Sequence, residues 1–107
     1  MTGKDYACPV TNALSVIGGK WKLIIVCRLH DGTRRFGELK RALPGITTRM
    51  LTRQLRELER DGLVHREVFR EVPPRVEYTL TRLGVSLKPA VAALGRWGEK
   101  LPVRRKG

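Results

Sequence analysis

Apolar positions recur along this chain first with helical and later with strand spacing, and each change of period marks the edge of an element. Cys8-Pro9 opens the first stretch, since proline suits a first helical turn whose N–H groups have no partner within the helix. That helix is expected over residues 8–17, stopped by Gly18-Gly19. A second is expected from about Lys20 to His30. Trp21, Leu23, Ile24, Ile25, Val26 and Leu29 cover most of its circumference, so it reads as the central buried helix. Cys27, within it, reads as a small core residue. Asp31-Gly32 ends it in a turn. Thr33–Phe36 reads as a short strand and Glu38–Leu43 as a short third helix, with Phe36, Leu39 and Leu43 facing inward. Pro44-Gly45 is a tight break. Thr47 then caps a fourth helix that runs to about Asp61, with Gly62 ending it. Ile46 and Leu51 stand where a hydrophobic staple closes, while Met50 occupies the place where a capping box needs Glu or Gln.

Beyond Gly62 the period falls to two. Residues 63–70 and 75–80 read as strands joined through Glu71-Val72-Pro73-Pro74. In the second, Val76, Tyr78 and Leu80 alternate with Arg75, Glu77 and Thr79, as a sheet with one buried face requires. Thr81 caps a last helix running to about Lys100. It carries the stripe Leu83, Leu87, Val91, Leu94 and Trp97, and Pro89 inside it is expected to kink it. Two short helices joined by a tight turn and followed by a hairpin make a winged helix-turn-helix: mainly α, with a small β-hairpin wing. The expected organisation is one domain. Residues 20–62 form the helix-turn-helix core, 63–80 the wing, and 8–17 and 81–100 the terminal helices.

Charge narrows the function. The 107 residues carry 22 Lys and Arg against 10 Asp and Glu, a formal net charge of +12. Such an excess favours a polyanionic partner. The longest apolar run, Leu23 to Cys27, is far too short to span a bilayer, so no membrane partner is expected. Two cysteines make no disulfide framework, and with no secretory signal the expected location is the cytoplasm, with thiols reduced. A chain this short buries a modest core, and pairing with a second copy would enlarge it. No metal-ligand spacing occurs, and His30 and His65 read as surface or edge residues. No phosphate-cradling loop and no nucleophile beside a base is present, so neither a cofactor nor catalysis is expected.

On the fourth helix Leu51, Leu55 and Leu58 share one face, while Arg49, Arg53, Arg56 and Arg60 lie roughly opposite with Thr52 beside them. Glu57, Glu59 and Asp61 gather toward the C-terminal end, leaving the N-terminal half strongly positive. This suits a recognition helix in a major groove, where arginine can donate two hydrogen bonds to guanine. Thr47 and Thr48 can bond phosphate beside free backbone N–H groups, and Arg56 and Arg60, further along, read as backbone contacts or solvated residues. On the hairpin, Arg70 and Arg75 flank the tip with Arg66 further down, placed to grip phosphates or a minor groove. Arg34, Arg35 and Lys40 are further phosphate candidates, as are Arg104, Arg105 and Lys106 in the tail. The plain alternative is a basic module that binds nucleic acid or protein without operator specificity.

Cys8-Pro9-Val10, the run Val16-Ile17-Gly18-Gly19-Lys20-Trp21-Lys22, Phe36-Gly37-Glu38-Leu39, Leu43-Pro44-Gly45-Ile46 and Met50-Leu51-Thr52 together resemble the HxlR-type winged helix-turn-helix regulators. So do Leu55-Arg56-Glu57-Leu58, Asp61-Gly62-Leu63-Val64, the run Val72 to Tyr78, and Leu80-Thr81. The resemblance covers Cys8 to Lys100. It implies a bacterial homodimer of MarR-like architecture that binds double-stranded DNA at a palindromic operator, commonly as a repressor, and that often answers to oxidants, electrophiles or aldehydes. It also implies a dimer interface on the terminal helices, here the Pro9–Ile17 region and the Leu83–Trp97 stripe. Cys8 matches a position that some members use as a sensing thiol. A helix N-terminus favours its thiolate, Lys4 adds to that, and the alternative is a partly buried packing cysteine.

Overall fold

The computed structural model describes residues 8–103. Its elements run α1 (Pro9–Ile17), α2 (Lys22–Leu29), β1 (Arg34–Arg35), α3 (Phe36–Ala42), α4 (Thr48–Arg60), β2 (Val64–Phe69), β3 (Arg75–Leu80), α5 (Arg82–Val85) and α6 (Lys88–Gly98). The winged helix-turn-helix expected from the sequence is the fold. The wing is a three-stranded antiparallel sheet of order β1-β3-β2. Its third member, β1, pairs Arg34 with Tyr78 and Arg35 with Glu77. Across β2 and β3, Val64 pairs with Leu80 and Arg66 with Tyr78.

The core lies where α2, α3, α4 and the sheet meet. Ile25, Val26, Leu39, Leu51 and Leu58 have no exposed surface, and Leu43, Leu55 and Val64 have almost none. Two glycines make the short connections around α4. Ile46 N–H donates to the Leu43 carbonyl across Pro44-Gly45, and Gly45 takes φ +91° at the third turn position, where a side chain would be strained. At the other end Gly62 has φ +83°. The N–H groups of Leu63 and Gly62 donate to the carbonyls of Leu58 and Glu59, closing the helix with its last carbonyls satisfied.

Several expectations are corrected by packing. The last helix is two helices, broken at Ser86-Leu87. Pro89 sits in the first turn of α6, where its missing N–H costs nothing, so it begins a helix instead of kinking one. Helix α2 is not buried all round: Ile24 and Cys27 are exposed. They line a groove with Leu23, Val91 and Leu94, because α6 covers that side of α2 only in part. Cys27 is therefore not a core residue. His30 is half-buried, and its Nε2 has no hydrogen-bond partner among the described residues. Neither α1 nor α6 buries a single residue completely.

One buried charge joins the elements. Lys22, 8% exposed at the start of α2, holds its Nζ 2.7 Å from Glu57 Oε1 on α4. A buried ammonium needs such a partner, or burial would strip its hydration without return. Lys22 first, and then Arg53, hold the Glu57 carboxyl below the ordinary glutamate range. The unfolded chain therefore takes up this proton more readily than the folded one. The stabilisation is complete above the unfolded value of about 4.3 and is lost as pH falls through the lower folded value. Glu57→Gln is expected to lower the melting temperature near neutral pH and to shrink the loss of stability on acidification. Thermal melts across the acid range check this, and an acid limb identical to wild type would remove the pair as a contributor.

Candidate nucleic-acid interface

Helix α4 owes its orientation to its own pattern. Burial of Leu51, Leu55 and Leu58 leaves Arg49, Arg53, Arg56 and Arg60 exposed on the other side. Thr47 is the N-cap: its Oγ1 accepts from Met50 N–H at 3.0 Å, and the hydroxyl hydrogen stays available to an outside acceptor. Thr48 and Arg49 are exposed in the first turn. No carboxylate stands in that turn, so the positive end of the helix is not neutralised. Arg49, Thr52, Arg53, Arg56, Glu57 and Arg60 line a groove of about 510 Å³ along the helix.

Individual side chains differ in what they can still do. The Arg53 side chain is 70% exposed, with Nε 3.5 Å from Glu57, a weak contact that leaves its terminal nitrogens able to reach outward. The Thr52 hydroxyl donates to the Thr48 carbonyl at 2.8 Å. Its one hydrogen is thus committed, and it offers a ligand an acceptor and a methyl group instead of a donor. Arg60 lies 3.6 Å from Asp61.

On the wing, Arg70 is exposed at the tip and makes no ion pair among the described residues. Arg75 is different. Its guanidinium lies 2.8 Å from Glu71, bonds Glu77 as well, and stacks on Phe69 at 3.9 Å from the ring centroid. Arg75 in turn holds the Glu71 carboxyl below its ordinary range. A guanidinium with two carboxylates and a ring already engaged stiffens the hairpin, and much of its charge is answered within it. The sequence pattern marked Arg75 as a cation at the tip. It did not show that Glu71 and Glu77 would fold onto it.

Cys8 stands immediately before α1 and is exposed in the single chain. The N–H groups of Thr11 and then Val10 draw its ionisation below the ordinary thiol range. Lys4 and the Arg104, Arg105 and Lys106 tail lie outside the described residues. Leu83, Leu94 and Trp97 of the terminal stripe are exposed, whereas Leu87 and Val91 are half-buried. Sequence reasoning passed over the pairing of Lys22 with Glu57. The legible signal was a lone lysine within the apolar Trp21–Val26 run. Among the described residues no cluster of potential metal ligands occurs, and no single helix is long and apolar enough to cross a membrane.

Comparison with known proteins agrees with this geometry. Residues 16–105 match the family described as HxlR-like helix-turn-helix. The HTH-type transcriptional regulator YdeP of Bacillus subtilis is 56% identical over 104 residues, covering 92% of this chain and 81% of YdeP. Among solved structures, the redox regulator HypR in its oxidised form superposes with a TM-score of 0.84 at 55% identity, covering 91% of this chain and 100% of that one. The reduced form of the transcriptional regulator YodB from B. subtilis superposes at 0.78 with 35% identity, over 90% of this chain and 95% of YodB. The chain therefore belongs to the HxlR-like helix-turn-helix family and is a DNA-binding transcriptional regulator, not an enzyme.

Proposed function

We propose that this protein is a homodimeric repressor of the cytoplasm that binds a palindromic operator and changes its DNA affinity when Cys8 is oxidised or alkylated. The observation that carries the DNA reading is the segregation of α4, leucines inward and arginines outward, with an open N-terminal turn. Thr47 and Thr48 suit phosphate at the start of the helix, Arg49 and Arg53 suit guanine, and Thr52 suits a thymine methyl or an amino donor. Arg56 and the wing-tip Arg70 suit phosphates, and Arg75 holds the tip in shape with a lesser share of the contact.

Support for the dimer comes from apolar surface. Val10 and Leu14 on α1 are 63% and 55% exposed, and Leu94 and Trp97 on α6 are 51% and 57% exposed. Ala13, Leu14, Ile17, Leu23, Val91 and Leu94 lie along one groove of about 350 Å³, extending that surface between the helices. A continuous patch of this kind calls for a cover, and a second copy supplies one with the same helices. Two α4 helices held this way would meet successive major grooves roughly 34 Å apart.

The thiol switch is supported by the exposure and lowered pKa of Cys8, and by the redox character stated for HypR. A peroxide would be attacked by the thiolate: the S–O bond forms, the O–O bond breaks, and the hydroxide or alkoxide leaves. The resulting sulfenic acid is reversible by thiols. An electrophile would instead take the sulfur as a thioether and be its own effector.

Three measurements test these readings. Arg53→Ala is expected to cost on the order of 1–3 kcal/mol on the promoter next to the gene and to relax preference at one base position. Equal weakening on scrambled DNA would leave only a basic binding module. Leu94→Asp is expected to convert a sedimenting dimer to monomer and to weaken operator binding with it. A wild-type protein that sediments as a monomer at micromolar concentration would remove the dimer. Peroxide is expected to shift the operator affinity of the wild type and leave Cys8→Ser unmoved; an equal response in both would exclude this thiol.

A further inference from the structure

The sheet register moves Arg66 away from the company that its sequence suggests. Arg66 pairs with Tyr78, and Tyr78 with Arg34, so the three share one face. That face also carries Val64 and Leu80 into the core. Arg66 therefore lies on the α4 side of the wing, while His65 and Glu67 lie on the other. There, Thr52, Leu55, Arg56 and Glu59 of α4 meet Arg66 and Tyr78 of the sheet around a cleft of about 240 Å³.

The chemistry of the cleft is specific. Two guanidinium groups face the single Glu59 carboxylate, leaving a net charge of one positive unit. Neither Arg56 nor Arg66 forms an ion pair among the described residues. Tyr78 is 8% exposed as a residue and its side chain makes no hydrogen bond among the described residues, but its hydroxyl is not among the buried atoms left without a partner, so it opens to the cleft. Thr52 and Arg56 also line the groove along the outer side of α4, so the cleft is continuous with the surface that reads bases.

We propose that this cleft seats one phosphodiester of the bound duplex, with Arg56 and Arg66 as its two forks and the Tyr78 hydroxyl as a neutral donor. The proposal rests on the DNA reading above. With α4 in a major groove and the wing over the adjoining minor groove, the backbone strand separating them crosses the junction of α4 and β2. The charge fits the same source: a phosphodiester carries one negative charge, whereas free phosphate carries between one and two at neutral pH. Glu59 then selects against the more highly charged anion.

The test compares wild type, Arg66→Gln and Tyr78→Phe as full chains, by anisotropy on a promoter duplex across about 50 to 200 mM salt. Melting temperatures with and without inorganic phosphate are measured in parallel. Arg66→Gln is expected to reduce the slope of log affinity against log salt by about 0.9 per protomer, or about 1.8 for a dimer. Tyr78→Phe is expected to weaken binding up to roughly tenfold per protomer at every salt concentration with the slope unchanged. Should Arg66→Gln not fold, an unweakened Tyr78→Phe overturns the seat. A wild-type slope retained in folded Arg66→Gln overturns it while DNA binding stands. Phosphate that raises the melting temperature of wild type but not of Arg66→Gln, with the DNA slopes equal, makes the cleft a free-anion site and overturns the phosphodiester. Wild-type binding that is indifferent to salt removes the DNA reading itself, and the seat with it.

Discussion

The docking of α4 on the core is the contact from which the rest of the arrangement follows. Leu51, Leu55 and Leu58 occupy one stripe of a helix whose other positions are polar apart from Met50 beside that stripe, so only one rotation about its axis buries them. That rotation sends Arg49, Arg53 and Arg56 outward without any contact designed to hold them there. Lys22 and Glu57 add a polar fastening between α2 and α4. A charge pair at an apolar contact is weak evidence for stability in its own right. Its effect is on register, since a helix rolled or slid by one residue would leave Lys22 buried without a counter-charge.

Excess positive charge is not spread evenly over uses. Arg75 is engaged by Glu71, Glu77 and Phe69, Arg60 lies against Asp61, and Lys22 is inside. Of the cations without an ion pair among the described residues, Arg49 and Arg56 lie on α4, Arg70 at the wing tip and Arg66 in the cleft between α4 and β2, while Arg28, Lys40, Arg82, Lys88 and Arg96 lie elsewhere on the surface. A net charge of +12 describes attraction to a polyanion at a distance. Local pairing decides which arginines can exchange that attraction for a contact, and two cations at the wing, Arg70 and Arg75, fall on opposite sides of that division.

The helices outside the core show the complementary economy. Helices α1 and α6 bury no residue completely, and their apolar side chains stay accessible. The interior made by α2, α3, α4 and the sheet takes only the half-buried Val16 and Ile17 from α1. Most of their hydrophobic surface therefore stays open on the side of the molecule defined by the terminal elements. The groove beside Cys27 belongs to this same surface, which is why a cysteine within an apolar helix is exposed.

Local physics determined much of this protein from sequence alone. Thr47 capping α4, Gly62 ending it, Pro44-Gly45 turning into it and the alternation of Val76, Tyr78 and Leu80 are each settled within a few residues of chain. The structure bears each of them out. Tertiary structure decided what depends on residues distant in sequence. Pro89 opens a new helix because α5 and α6 separate at Ser86-Leu87; periodicity cannot distinguish that from a kink, as both continue the same stripe. Arg75 is withdrawn into the hairpin, and Arg66 meets Arg56, because strand register and helix docking bring those groups within reach. A one-dimensional pattern records which face a side chain takes on its own element. Which partner lies across the gap is fixed only when the elements pack.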